Sequence, residues 1–184
     1  MESSPKMGRM SSTRQTLTRD PIAEARRNWE RQGWDDVAEP MAAVTSIMRA
    51  QQILLARAHK ALKPFSLTFA RFELLALLDF SRERRMPMSK AGALLQVHPT
   101  SVTNAVDRLE AAGLVTREPH PSDRRATLLS LTEEGREVTA KAAAALNEKV
   151  FADTGLSDED VTALIQILKR FRRTAGDFED AAES

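Results

Sequence analysis

The 184-residue chain is long enough for one main hydrophobic core with appended segments. Its 42% hydrophobic and 29% charged residues are typical of a folded protein, and the lack of cysteine excludes disulfides, thiolate nucleophiles and sulfur-based zinc sites. The net charge of +1 is too small for a protein that coats nucleic acid by charge alone.

The N-terminal segment divides in two by its sequence pattern. Residues 1–19 are rich in Ser, Thr and Arg with little periodicity, and we expect a flexible basic arm there. Asp20 can then cap a helix that Pro21 begins. An extra N-terminal helix is therefore predicted over residues 20–34, with Trp29 on its apolar side.

Two longer helices are predicted over residues 41–80. Over residues 41–62, apolar side chains recur at three- and four-residue intervals until Pro64 ends the pattern. Thr68 can cap a second helix that runs to Phe80. We expect dimerisation and linker helices, because the first stripe is too long for one small lobe to cover.

A short helix is predicted after the polar linker at residues 82–85. Ser89 is a good N-cap for it, and the helix ends near Gln96. Leu94 and Leu95 are expected to turn inward. This would be the first helix of a two-helix unit.

The next helix is predicted from Pro99 to about Ala112, with Gly113 ending it. Its apolar side is formed by Val102, Ala105, Val106 and Leu109. Its opposite side is formed by Thr100, Asn104 and Asp107, flanked by Ser101, Thr103 and Arg108. The helix therefore has one face for a core and one face of short polar side chains.

Short hydrogen-bonding side chains suit a helix that lies deep in the major groove of DNA. They allow close approach, and Asn104 suits adenine whereas Arg108 suits guanine. The N-terminal amides of the preceding helix, with Lys90, can meet a phosphate. A polar helix face is more often simply solvated, so the order of the neighbouring elements is the stronger indication.

Two short strands, over residues 114–118 and 126–131, are predicted to form a β-hairpin. Its long polar tip carries Arg124 and Arg125, whose guanidinium groups suit the DNA backbone or the narrow minor groove. Residues 81–132 thus give a capped helix, a tight turn, a polar helix and a basic hairpin. That order predicts a winged helix-turn-helix lobe that binds double-stranded DNA.

The C-terminal part is predicted to be helical again. Thr132 can cap one helix that reaches about Val150, and Ser157 can begin the last one. The last helix has an apolar face formed by Val161, Leu164, Ile165, Leu168 and Phe171. We expect residues 132–175 to be C-terminal dimerisation helices, followed by an acidic tail over 176–184. The predicted fold class is mostly α with one β-hairpin, as a winged helix-turn-helix lobe plus a helical dimerisation region.

Catalysis and metal binding are not expected. His59, His98 and His120 are scattered, and the sequence has no Gly-x-Ser-x-Gly, His-Glu-x-x-His or phosphate-binding glycine loop. Metal sensing would need clustered ligands, and no histidine pair occurs at helical spacing. We therefore expect that the protein is not an enzyme and that it binds neither a metal nor a cofactor.

The chain is also not expected to have a membrane partner. No apolar run approaches the roughly 18 residues that a membrane span needs. Residues 1–20 lack the apolar core of a signal peptide. We expect a cytoplasmic protein that associates with the nucleoid through DNA.

The sequence closely resembles the MarR family, the multiple-antibiotic-resistance-type winged helix-turn-helix transcription factors. The resemblance is carried by VHPTSVTNAVDRLEAAGLV at 97–115, by Pro-Ser-Asp-Arg-Arg at 121–125 and by Leu-Thr-Glu-Glu-Gly at 131–135. An Asp-Arg-Arg wing followed at this spacing by Leu-Thr-x-x-Gly is rarely met elsewhere. The flanking helices agree, so the resemblance covers about residues 41–175.

The resemblance implies a homodimer that binds a palindromic operator, with half-sites about one helical turn apart. It implies repression as the usual outcome, with release by a small aromatic or phenolic acid. The DNA contacts are then expected from Ser89, Lys90, Pro99, Thr100, Ser101, Thr103, Asn104, Arg108, Arg124 and Arg125. Asp123 would structure the wing by pairing with a nearby arginine.

The resemblance also implies an effector site where the dimerisation helices meet the DNA lobe. An aromatic-lined cleft with one cation would suit a carboxylate. The candidate residues are Trp29, His59, Phe65, Phe69, Arg71, Phe72 and Glu73. The extra N-terminal helix is loosely similar to that of urate-type members, although Ala105 stands where that subgroup tends to carry an arginine. The alternative is ordinary core packing for the phenylalanines, an exposed turn for Arg71 and, for Trp29, a place over the dimer core.

One further alternative concerns the whole lobe. A winged helix can serve as a protein–protein interaction module without sequence-specific DNA binding. Such a module would present Leu, Phe or Tyr at positions 100, 104 and 108, where this chain has Thr, Asn and Arg. We therefore prefer the DNA-binding interpretation.

Overall fold

The computed structural model describes residues 17–120 and 126–179. Two compact units divide within one long helix, the first ending at Ile53 and the second starting at Leu54. The predicted residues Asp123, Arg124 and Arg125 lie outside the described residues, as do most of the N-terminal arm and the end of the acidic tail.

The helices and strands follow one another in the order expected of a winged helix with additional helices on both sides. In chain order they are α1 (Pro21–Arg31), α2 (Asp35–Leu62), α3 (Phe69–Asp79), β1 (Arg85–Pro87), α4 (Met88–Leu95), α5 (Pro99–Ala111), β2 (Val115–Pro119), β3 (Thr127–Leu131), α6 (Glu133–Leu146) and α7 (Asp158–Thr174). A 3-10 turn, Lys63–Phe65, follows α2, and a π-helical turn, Asn147–Phe151, extends α6. The predicted fold class is confirmed.

The first unit contains α1 and the N-terminal part of α2. The side chain of Asp20 accepts a hydrogen bond from the backbone N–H of Ile22 at 2.9 Å, so the predicted cap of α1 is confirmed. Trp29 packs edge-to-face on Trp34 with ring centroids 5.4 Å apart. The chain turns between the two helices at Gly33, whose φ of 77° favours glycine.

The second unit has a leucine-rich core. Its largest fully buried side chains are Leu62, Leu74, Leu75, Leu78, Leu109, Leu129, Leu146, Val106 and Val115. They come from the end of α2 and from α3, α5, α6 and both long strands. The core therefore holds α5 against the sheet and fixes which side of it faces outward.

The sheet has three antiparallel strands in the order β1-β3-β2. The hairpin of β2 and β3 was predicted, but β1 was not, because Arg85 was assigned to a polar linker. In the structure Arg85 pairs with Ser130 and Met86 with Leu129. The sequence signal was weak, because a strand of three residues with one buried side chain is too short to show an alternation of apolar and polar residues.

Three predicted details are wrong. Ser89 is not the cap of α4, because that helix begins at Met88 with Pro87 in the cap position and no side-chain cap bond. Leu94 is 55% exposed rather than turned inward. The helix predicted from residue 41 begins at Asp35 and includes Pro40 in its second turn. A proline lacks the backbone N–H and disfavours a helix interior, and the predicted start therefore fell after it.

The other predicted caps are confirmed. Thr68 accepts from the N–H of Arg71, and Ser157 accepts from that of Asp160. Thr132 accepts from the N–H of Gly135 at 2.9 Å and donates to the carbonyl of Gly113 at 2.8 Å. In residues 17–120 and 126–179, no helix is both long and apolar enough to span a membrane.

Candidate nucleic-acid interface

The helix α5 has one buried side and one exposed side. Val102, Val106 and Leu109 are at most 3% exposed and join the core of the second unit. The exposed residues of the predicted polar face are Thr100, Ser101, Thr103, Asn104, Asp107 and Arg108. The predicted outward orientation of this face is thus confirmed, and Ala105 lies at its margin with intermediate exposure.

The first turn of α5 is fixed by local hydrogen bonds. The Nδ1 atom of His98 accepts from the N–H of Thr100 at 3.3 Å, and Pro99 takes the first helical position. The hydroxyl of Thr103 donates to the carbonyl of Pro99 at 3.1 Å. His98 was missed as a cap, because caps are predicted from Ser, Thr, Asp and Asn.

The helix α4 lies against α5 at a glycine. A Cβ atom built on Gly92 would lie 3.2 Å from the Cγ2 atom of Val102, so the two helices approach closely there. Ser89 and Lys90 are exposed in the first turn of α4. Gln96 then ends α4 and turns the chain toward α5. Its backbone is in the left-handed region, with a φ of 51°.

An ion-pair network joins α5 to the wing strand β2. Arg117 donates from Nη2 to the Oδ1 atom of Asp107 at 2.5 Å and from Nη1 to the Oε2 atom of Glu110. Partial desolvation acts to lower the pKa of Arg117, but the hydrogen bonds and charges of the two carboxylates outweigh it, and the pKa lies above its usual value. Helical periodicity predicted Asp107 on the polar face but gave no indication of its partner, Arg117. The two lie ten residues apart on different elements, where no periodicity links them.

The comparisons with known proteins agree with this geometry. The sequence model of the MarR family matches residues 67–127. The uncharacterised HTH-type transcriptional regulator YhbI of Bacillus subtilis is 33% identical over 122 residues, which are 66% of this chain and 74% of that protein. The chain belongs to the MarR family.

Solved structures of MarR-family proteins are similar over most of the chain. Sco5413, a MarR family transcriptional regulator from Streptomyces coelicolor, is 47% identical and aligns with a TM-score of 0.70 over 77% of this chain and 99% of that one. Sco3205 from the same organism, solved in complex with DNA, is 27% identical with a TM-score of 0.66 over 80% and 91% of the two chains. This MarR-family protein is therefore a DNA-binding transcriptional regulator and not an enzyme.

The wing of this MarR-family regulator is described up to the base of its tip. Its strands pair from Val115 with Leu131 to Pro119 with Thr127, and the N–H of His120 donates to the carbonyl of Ala126 at 3.1 Å. The tip residues predicted to reach DNA follow directly on this pair. Their roles stay predictions.

The predicted effector residues are divided between core and surface. Phe72 is buried and Phe65 and Phe69 pack partly buried against the core, with the rings of Phe69 and Phe72 6.3 Å apart. Arg71 donates to the hydroxyl of Thr68 and to the carbonyl of Ser66 at 3.2 and 3.3 Å. His59 is exposed. The phenylalanines thus have a packing role, and their role in binding an effector stays a prediction.

Two further predicted residues have distinct surroundings. Glu73 is exposed overall, but neighbouring protein atoms desolvate part of its carboxyl group, which raises its pKa. Trp29 belongs to the first unit, where it contacts Trp34. No group of three or more potential metal-binding side chains occurs among residues 17–120 and 126–179.

Proposed function

We propose that this MarR-family regulator is a homodimer that represses transcription by binding a palindromic operator, with α5 in the major groove of each half-site. The observation that carries the proposal is the two-sided character of α5. Three of its apolar residues anchor it in the core, and the side opposite them exposes hydroxyl, amide and guanidinium groups. A DNA regulator acts at the nucleoid, so we place it in the cytoplasm.

The chemistry of the exposed face fits base edges in the major groove. An amide such as that of Asn104 can donate and accept at adenine, and the guanidinium of Arg108 can donate twice to guanine. The intervening hydroxyl side chains are short, so they let the helix backbone approach the groove. The described part of the face has no large apolar side chain, which a protein-interaction module would need.

The neighbouring elements would position α5 through the sugar-phosphate backbone. Ser89 and Lys90 lie at the N-terminus of α4, where backbone N–H groups favour a phosphate. Arg124 and Arg125 would add wing contacts, with Asp123 holding the tip. Phosphate contacts of this kind set orientation and affinity, whereas the α5 contacts set sequence preference.

The dimer is supported by apolar surface that the described chain does not cover. The 17-residue helix α7 has no buried residue, and Leu164, Ile165 and Phe171 on its apolar face are 42%, 57% and 61% exposed. In α2, Val44, Ile47 and Met48 are 45–57% exposed. Two such helices with bare apolar faces favour a second copy as their partner.

An effector of the aromatic or phenolic acid class is the remaining part of the proposal. Its support is that Phe65, Phe69 and Arg71 follow one another closely along the chain, between the end of α2 and the first turn of α3. Aromatic rings beside one cation suit a ring that bears a carboxylate. Titration of the DNA complex with salicylate or benzoate should release the DNA, and Arg71→Ala should weaken that response. A response that survives Arg71→Ala unchanged would remove Arg71 from the site.

The DNA-binding proposal is tested with the duplex upstream of the protein's own coding region. Fluorescence anisotropy should show specific binding that exceeds binding to a scrambled duplex by at least about a thousandfold. Asn104→Ala should relax the preference at one base pair in each half-site by ~1–3 kcal/mol. Lys141→Gln, a change at an exposed residue of α6, serves as the control. Equal affinity for both duplexes would contradict the proposal and favour the protein-interaction module.

A further inference from the structure

The proposed DNA-facing helix carries two carboxylates that a DNA-binding surface should avoid. Asp107 lies one turn after Thr103 and next to Arg108, and Glu110 follows one turn further along α5. Their side chains are 54% and 40% exposed. An unpaired carboxylate at the edge of this face would repel the phosphates of a bound duplex.

Arg117 is placed to neutralise both carboxylates. It reaches them from β2, with one terminal guanidinium nitrogen on each. Its own side chain is only 26% exposed, less than either carboxylate. Its backbone is held in the sheet by the pairing of Arg117 with Leu129. Arg117 therefore lies along the side of α5 with one N–H of each terminal nitrogen donated to a carboxylate.

The network is not explained by stability alone. Exposed ion pairs contribute little to the free energy of folding, because water solvates the separated charges well. The consequence for DNA is larger, because phosphates lie within a Debye length of the surface and act on any charge left uncompensated. The main effect of Arg117 is therefore expected in DNA binding.

We propose that Arg117 is a positioning residue that masks Asp107 and Glu110 and turns both carboxylates toward the wing, so that α5 presents neutral and cationic groups to DNA. Arg117 itself makes no DNA contact. This inference rests on the proposed DNA-binding function and adds a residue that the sequence analysis did not assign to it.

The first test removes the mask. Arg117→Gln should weaken operator binding roughly tenfold or more, because two carboxylates become unpaired beside the duplex. Arg136→Gln is the matched control, since Arg136 pairs with Glu133 inside α6 and not with α5. The control should bind within about threefold of the wild type, so that loss of one positive charge alone is accounted for.

The second test is rescue. The triple variant Arg117→Gln, Asp107→Asn, Glu110→Gln should restore binding to within about threefold of the wild type, since no carboxylate remains to be masked. A contact of Arg117 with DNA, or a purely mechanical link between α5 and the wing, would not be rescued in this way. A triple variant as weak as Arg117→Gln would overturn the proposal.

A third measurement covers the case in which Arg117→Gln fails to fold. Asp107→Asn and Glu110→Gln, made singly with Arg117 intact, should bind the operator as tightly as the wild type or more tightly. Weaker binding by Asp107→Asn would mean that this carboxylate contacts a base, and would overturn the proposal. If the wild type itself binds no duplex specifically, the proposed function fails, whereas specific wild-type binding that Arg117→Gln leaves unchanged refutes only the role of Arg117.

Discussion

At the scale of single residues, the exposed face of α5 is a short row of different polar groups. Thr100 and Thr103 offer hydroxyls, Asn104 an amide and Arg108 a guanidinium. Each is held in place through backbone that the core fixes, because Val102 and Val106 on the other side of the helix are buried. Rigid placement of small polar groups is what base recognition needs, since a groove contact is lost when the side chain is misplaced by about an ångström.

The raised pKa of Glu73 predicts a specific pH dependence of stability. The unfolded chain has the ordinary pKa, near 4.5, whereas the folded protein holds the proton to higher pH because part of the carboxyl is desolvated. Folding therefore binds a proton in the window just above pH 4.5, and the stability contributed by this group falls as pH rises through the window.

Glu73→Gln should remove that fall. The variant and the wild type should be equally stable at low pH, and the variant should become the more stable one as pH rises toward neutrality. Urea unfolding at a series of pH values measures the difference, and a change at the exposed residue Glu137 of α6, Glu137→Gln, is the control. A difference that is independent of pH would exclude Glu73 as its source.

Sequence patterns predicted the residues of α5 well, because a helical period assigns each position to a face. They did not predict that Arg117 is the partner of Asp107, nor that His98 caps α5. An ion pair between a helix and a strand depends on how the two elements pack, and a histidine cap depends on the tight turn before α5. Both depend on the folded chain, and no periodic pattern of residues in the sequence indicates them.

At the scale of elements, α6 is held against the base of the wing by a glycine and a threonine. Thr132 caps α6 and also bonds to the carbonyl of Gly113. Gly135 is buried, and a Cβ atom built on it would lie 2.1 Å from the carbonyl oxygen of Leu114. The Leu-Thr-x-x-Gly segment thus has a physical basis, because only glycine allows this approach of helix to backbone.

Gly135→Ala should destabilise the fold. The clash is with backbone, which cannot rotate away as a flexible side chain could, so we expect a loss of about 1–3 kcal/mol or more in the free energy of unfolding. Gly92→Ala is the matched comparison, since its Cβ would lie 3.2 Å from a side-chain methyl group and should cost less. Urea unfolding of both variants measures which of them loses more free energy of unfolding. Equal stability of Gly135→Ala and the wild type would contradict the packing described here.

The elements that the sequence predicted best are those with local signals. The caps of α1, α3, α6 and α7 were found because each cap side chain accepts from a backbone N–H that lies within three residues of it. The strand β1 and the true start of α4 were not found. Both depend on the pairing of Arg85 and Met86 with β3, more than forty positions away. Long-range pairing of so short a strand has no local signal.

At the scale of the whole molecule, the apolar face of α7 needs a partner. Ile165→Glu should leave the folded chain intact, because the residue is 57% exposed in the single chain, but should separate the dimer. Sedimentation equilibrium should give twice the chain mass of 20.4 kDa for the wild type and a value near one chain for the variant. Gln166→Glu, on the polar side of α7, should remain dimeric. A wild type that sediments as a single chain would contradict the proposed dimer.

The measurement that tests the account most directly is methylation protection of the bound operator by dimethyl sulfate, which attacks guanine N7 in the major groove. If the exposed face of α5 enters that groove, guanines should be protected in two patches about 10 bp apart, and Arg108→Ala should lose protection within each patch. A bound complex whose guanine N7 atoms react as they do in free DNA would contradict it.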